Sequence, residues 1–287
     1  MEQTGNAVSR RAALKTVAGT ALAAGLGGLS LAGANSAAAA GGFTDVRQFQ
    51  GTWNGSYDGR SSRLTIRVQG QPPSNLYTLF FTFTDEGGTS YSGTLQNVAA
   101  NTYHLPYFKL GANGELDWQG LLLHTWNTDY ISGFSVWNSS VYPMSWTRST
   151  VNDPFTPGPQ WTGYADYFGN YAGFLDGRNA RLAISQGKRP DPSQSGSPLK
   201  PTVERVISDV DRGTSWSAWN WEADVQAQSV SQQRILLEGF YVTPDPQPTS
   251  LKLDYIFPHG WNRNYISGRI QQIGSPPSYY GVQFKRV

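Results

Sequence analysis

Cysteine is absent from the 287 residues. That removes disulfides, thiolate nucleophiles, iron–sulfur ligation, Cys-type zinc sites and a lipidated cysteine anchor in one step. Histidine is scarce: His104, His124 and His259 are the full set, too few for a His-rich metal centre within one domain. Past residue 40 no apolar run approaches the roughly 20 residues needed to span a bilayer, so stable membrane insertion is not expected. There is no GxGxxG, Walker, HExxH or nucleophile-elbow pattern, and nothing nominates a pair of catalytic carboxylates. No cofactor, no metal and no catalytic residue is therefore implied.

Residues 1–40 read as an address rather than as part of a fold. Ser9-Arg10-Arg11-Ala12-Ala13-Leu14-Lys15 has the twin-arginine pattern, and the apolar stretch from Thr16 to Ala34 is diluted by Gly19, Gly25, Gly27, Gly28 and Gly33. A weakly apolar core of that kind suits a Tat export signal better than a membrane anchor. Small residues at Ser36 to Ala40 place the cleavage near Ala38 to Ala40, and the expected location is secreted, outside the cell. Removing the segment takes three basic residues and one acidic residue from totals of 22 and 20, leaving 19 of each. A neutral mature chain has no default attraction for a phosphate backbone, so nucleic acid is not an expected partner.

What remains is rich in Gly, Thr, Ser, Tyr and Trp, every aromatic residue lies beyond residue 40, and apolar runs at helical spacing are few. That composition points to an all-β protein. The mature sequence also repeats itself. Gly51-Thr52-Trp53-Asn54-Gly55 through Asp58-Gly59-Arg60 to Ile66 recurs as Gly169-Asn170-Tyr171-Ala172-Gly173 through Asp176-Gly177-Arg178 to Ile184, the shared pattern being Gx[WY]xGxxDGRxxRLxI. A second block, HxWNxxYISG, appears at His124–Gly133 and again at His259–Gly268. The copies end alike in Trp146-Thr147-Arg148 and Phe284-Lys285-Arg286. The fold class predicted is two tandem antiparallel meander β-barrels of about eight strands each, over 43–148 and 161–287, joined by a proline-rich linker at 149–160. Extra residues in the second copy fall in loops marked by Pro190, Pro192, Pro198 and Pro201, and by Pro244, Pro246 and Pro248.

Alternation assigns strand faces. Leu64, Ile66 and Val68 oppose Arg63, Thr65 and Arg67, and Tyr77, Leu79, Phe81 and Phe83 alternate with polar neighbours. Asp58-Gly59 and Asp176-Gly177 are hairpin turns whose following arginine is expected to pair with a carboxylate. Strict alternation puts His124 on one face with Trp118, Gly120 and Leu122, and His259 on one face with Leu253, Tyr255 and Phe257. On that basis both imidazoles look inward, near a barrel mouth.

A meander of this length that opens with GxW and closes with an arginine resembles the calycins, the superfamily of lipocalin-like and avidin-like barrels. The resemblance implies that Trp53 packs at one end of the first barrel with Arg148 lying across it, and that Tyr171 and Arg286 do the same in the second. It also implies an eight-stranded barrel that binds a ligand, although no avidin ligand residue maps onto this sequence.

The candidate ligand-binding residues are His124, Trp126, Asn127 and Tyr130 in the first copy and His259, Trp261, Asn262 and Tyr265 in the second. Trp216, Trp219 and Trp221, a cluster special to the second copy, complete the set. Two readings of the histidines stand side by side: ligand contacts or general bases on one hand, hydrogen-bonded core residues on the other. The two asparagines suit the turn through tolerance of left-handed backbone. Exposed indoles beside Asn and Ser suit sugar stacking. The expected function is thus binding of a small apolar or aromatic molecule, or of a saccharide. A secreted enzyme acting on a polysaccharide and an inhibitor or interaction module are the alternatives.

Overall fold

The computed structural model describes residues 42–71, 73–137, 140–151, 155–189, 199–221, 236–240, 251–272 and 276–287. The export signal, the loop prolines at 190, 192, 198, 244, 246 and 248, and the side chains of Trp216, Trp219 and Trp221 lie outside the described part. Strands β1 (Gly51–Tyr57), β2 (Arg60–Gln71), β3 (Leu76–Thr84), β4 (Ser90–Ala99), β5 (His104–Leu110), β6 (Leu116–Leu123), β7 (Tyr130–Trp137) and β8 (Ser140–Arg148) form one antiparallel sheet in the order β4-β3-β2-β1-β8-β7-β6-β5. Its two edges meet where the Gly111 N–H donates to the Ser92 carbonyl at 2.8 Å, so the sheet all but closes. Pro106 sits in β5, an edge strand, where its missing N–H interrupts little of the ladder.

Strands β9 (Gly169–Leu175), β10 (Arg178–Arg189), β11 (Lys200–Asp209), β12 (Thr214–Trp221), β13 (Leu236–Phe240), β14 (Leu251–His259), β15 (Asn262–Gln272) and β16 (Ser278–Arg286) form a closed eight-stranded barrel. Pro201, assigned to a loop from sequence, is instead the second residue of β11. A proline is tolerated there because it stands at the start of the strand.

The registers of the two copies match. Leu64 pairs with Phe83 and Leu182 with Ile207; Trp53 lies opposite Arg148 and Tyr171 opposite Arg286. In each barrel a short 3-10 helix, Val46–Phe49 or Tyr164–Tyr167, precedes the first strand, with Phe49 and Tyr167 buried in the respective cores. The Arg148 guanidinium lies 4.2 Å over the Trp53 ring and donates to the carbonyls of Gln48, Gln50 and Thr128 at 2.8–2.9 Å. Arg286 lies 4.9 Å over Tyr171 and donates to the Phe168 carbonyl and to the Tyr171 hydroxyl. The second glycine of the shared motif is explained by close approach. A Cβ on Gly55 would stand 2.2 Å from the Ser145 carbonyl oxygen and one on Gly173 2.1 Å from that of Gln283.

The first barrel is filled by rings. Phe81 stacks on Phe108 at 4.5 Å and Trp118 on Trp146 at 5.3 Å, while Phe83 meets both indoles edge-on. Offset and edge-to-face arrangements of this kind add to burial and leave the lumen a packed core. The planar fork of Arg148 serves three carbonyls that a single ammonium cannot reach together. Arg148→Met is accordingly expected to lower stability by about 2 kcal/mol in urea denaturation, with Arg148→Lys restoring less than half of the loss.

Candidate functional site

The two motifs that repeat in sequence are brought together across the barrels. Asp58 and Asp176 hold φ near +52°, and Gly59 and Gly177 lie at +86° and +83°, the pair of positive angles that closes a two-residue hairpin. Each hairpin grips the turn after the histidine in the other copy. The Asp58 carboxylate accepts from the Gly260 N–H at 2.7 Å and its carbonyl from the Trp261 N–H at 2.9 Å. Reciprocally, Asp176 accepts from the Thr125 N–H at 2.7 Å and its carbonyl from the Trp126 N–H at 3.0 Å. Arg60 lies over Trp261 at 5.3 Å and Arg178 over Trp126 at 5.0 Å. A Cβ on Gly59 would strike Asn262, and one on Gly177 would strike Asn127. The outcome is a pseudo-twofold clasp, each barrel giving one hairpin and one turn.

Both imidazoles belong to this seam, not to a lumen, which corrects the inward facing inferred from alternation. In the first copy the cause is a bulge. Gly120 adopts φ +64° and the ladder between β6 and β7 shifts between Gln119 and Leu122, so Trp118, Leu121 and Leu123 face the core. That one-residue slip turns Leu122 and His124 out toward the other barrel. In the second copy Ile256 and not Phe257 enters the lumen, and Phe257 joins Phe134 and Val141 in an apolar cluster between barrels. The aromatic face of β14 is buried, but against the neighbour.

The hydrogen-bond network fixes the tautomers. The Ser267 hydroxyl donates to the Met144 carbonyl at 3.0 Å, so it accepts from His259 Nε2–H at 2.8 Å. His259 Nδ1 is then an acceptor, 3.0 Å from the Ser56 hydroxyl, whose oxygen already takes the Gly59 N–H. In the same way Ser132 donates to the Gly268 carbonyl at 2.9 Å and accepts from His124 Nε2–H at 3.0 Å. His124 Nδ1 has no partner among the described residues. The place of Ser56 is taken in the second copy by Phe174, which stacks on Tyr130 at 4.2 Å.

His104 completes the seam. It accepts from Arg269 Nη1 at 2.7 Å and lies 3.9 Å from the Tyr279 ring, while Arg269 spans Phe134, Tyr255 and Tyr279. Burial drives all three histidines down to about 3, with Arg269 adding to the effect at His104 and Arg178 at His124. The clasp carboxylates move the other way: burial pushes Asp58 up to about 7 and Asp176 to about 6, against the opposing pull of their hydrogen bonds and arginines.

The remaining candidates divide. Asn127 and Asn262 do serve the turn, but by accepting from the N–H two residues on, at 3.0 and 3.2 Å, and neither has positive φ. Tyr130 and Tyr265 sit about 6 Å from their histidines. Trp126 and Trp261 are half exposed, at 53% and 49%, yet each ring is covered by guanidinium groups, Arg212 adding to Arg178 over Trp126. Trp216, Trp219 and Trp221 stand opposite Ile207, Glu204 and Thr202 in the ladder, and this is all the described part gives of them. The later part of the linker is docked: the Thr156 carbonyl takes the Asn262 amide and the Pro159 carbonyl the Arg263 N–H.

One residue missed in the sequence stands inside the second barrel. Along β11, Val203, Arg205 and Ile207 are buried while Val206 is exposed, so the guanidinium enters a lumen lined by Val203, Ile207 and Ile256. Arg205 is 1% exposed, with Nη1 3.5 Å from the Ile256 carbonyl oxygen and with Tyr167 close enough to feel its charge. Matching registers make it the counterpart of Phe81, a signal that aligning the two repeats strand by strand reveals. Smaller side chains recur around it: Ile207 for Phe83, Phe284 for Trp146, Leu175 for Tyr57 and Val282 for Met144.

No family model matches the chain, and no curated protein matches it. A crystal structure of a protein of unknown function from the DUF3598 family of Nostoc punctiforme aligns with 14% identity over 84% of this chain and 97% of its own, at a TM-score of 0.28.

A methyl group added at Gly281 would stand 2.5 Å from the His124 ring, whereas one at Gly163 meets nothing within 4 Å. Gly281→Ala should therefore wedge the seam and lower stability by about 1–3 kcal/mol in denaturant titration, with Gly163→Ala serving as the near-neutral control.

Proposed function

We propose that the protein is an exported binding protein whose first barrel is a packed scaffold and whose second barrel takes a small apolar molecule carrying an acid group. The observation that carries this reading is the exchange of Phe81 for a buried arginine, amid smaller neighbours, at one place in two barrels of matching register. A guanidinium offers five N–H donors in a fixed plane, and a carboxylate suits that plane in a bidentate manner. The described side chains around it, Val203, Ile207 and Ile256, suit a hydrocarbon or aromatic body better than a polyhydroxylated sugar. The opening aromatic residue crossed by a closing arginine, present in both copies, supports the calycin-type reading of each barrel and with it a lumen as the place for a ligand. The twin-arginine pattern supports export.

Against the enzyme reading stands the burial of His124 and His259, both at 0%, which removes them from reach of a polymer. The guanidiniums over Trp126 and Trp261 stand against sugar stacking at those rings.

The test compares a long-chain carboxylic acid with the alcohol of equal length, titrated into the mature chain and into Arg205→Met. Wild type should prefer the acid, and the variant should lose about tenfold to a hundredfold of acid affinity while the alcohol is unchanged. Equal binding of acid and alcohol by both forms would assign Arg205 to the barrel alone and end this reading.

A further inference from the structure

All three histidines of the chain lie in one place, the seam between the barrels, and each is held neutral by a different piece of geometry. His104 offers its Nε2 lone pair to Arg269, so a second ring proton would aim an N–H at a guanidinium. His124 Nδ1 faces no acceptor among the described residues, so protonation would create a buried donor with nowhere to go. At His259 the Nδ1 acceptor meets a Ser56 hydroxyl whose oxygen is already engaged by Gly59, so a proton there displaces the existing bond. None of the three pairs with a carboxylate among the described residues. Their surroundings are cationic or neutral: Arg269 and Tyr279 at His104, Arg178 and Tyr130 at His124, Tyr265 and the serine pair at His259.

We propose that this seam is an acid-opened joint: the two barrels stay clasped while the three imidazoles are neutral, and separate as folded units when protons become available to them. This goes beyond ligand binding and does not depend on it. Opening restores water to each ring, so the open form gains three protons on passing below the usual histidine range near 6.5. The closed form does not take them until about 3.

The clasp carboxylates work in the other direction. Asp58 and Asp176 are raised in the closed form, which favours closure as pH falls through about 7 and about 6, until the open form's carboxylates protonate near 3.8. Three protons taken up on opening exceed two retained on closing. The net of about one proton shifts the open-to-closed ratio about tenfold toward open for each pH unit lost between roughly 6.5 and 4.

The absence of native cysteine permits a clean measurement. Spin labels at R63C and R181C, exposed equivalents on β2 and β10, report the inter-barrel distance in the full mature chain by pulsed EPR, with far-UV circular dichroism following the strands. Between pH 7 and pH 4 the distance distribution should lengthen and broaden while the strand signal persists. The triple variant H104Q/H124Q/H259Q, whose amides keep a donor and an acceptor but take no proton, should remain closed over that range. A distance unchanged to pH 4 in wild type, or opening of the triple variant at the wild-type pH, overturns the proposal. Carbon-13 NMR of the wild-type imidazoles tests it even if the variant fails to fold. Titration of the rings together with separation supports the joint, and titration near 6.5 with the distance fixed refutes it.

Discussion

The reciprocal hydrogen bonding between the Asp-Gly hairpin of one copy and the turn after the histidine of the other is the constraint from which the rest of the structure follows. Each hairpin presents a carboxylate and a carbonyl to two consecutive N–H groups across the seam, and does so from a backbone with positive φ at Asp58 or Asp176. Because the same two elements meet twice about a pseudo-twofold axis, the contact is self-complementary in the manner of a closed dimer. Its burial explains residues that otherwise have no reason to be where they are. His124, His259 and Asn262 are sealed from solvent, Gly281 makes room for an imidazole, and the Ser132 and Ser267 hydroxyls donate hydrogen bonds to carbonyls of the opposite barrel.

Strands β14, β15 and β16 consequently serve two cores at once. Ile256, Ile266, Ile270 and Val282 line the lumen of the second barrel, while Phe257, Ser267 and Gly281 on the same strands meet the first. Period-two alternation makes this possible, since successive side chains point to opposite faces, and a seam face that carries Ser267 and Arg269 does not differ in polarity from a face toward solvent. The first barrel, with its stacked rings, supplies the rigid counter-face. The second, with a guanidinium where its twin has phenylalanine, keeps chemical individuality inside an inherited frame.

Much of this was legible in the residues. The duplication, the all-β class, about eight strands per copy and the core faces of β2 and β3 follow from local patterns, whereas the crossing of Trp53 by Arg148 was implied by the resemblance to the calycins. Patterns of that kind report on neighbours along one strand or between adjacent ones, and the repeat doubled each signal. The site was legible only as a set of names. The motifs DGR and HxWN stood out in sequence because both copies keep them, yet nothing along the chain says that one binds the other across about 200 residues, as Asp58 does with Gly260.

What the sequence determined by itself was the repeated unit, its strand content and which residue types each strand offers, because hydrophobic period and turn chemistry are properties of short segments. What the tertiary structure alone decided was which buried face looks into a lumen and which looks across the seam. Gly120 shows why: a single glycine in left-handed conformation slips β6 by one residue, and with a side-chain period of two that slip exchanges inside for outside. The same holds for Arg205, an unremarkable residue in a strand of alternating polarity until eight strands close around it and take its charge out of water.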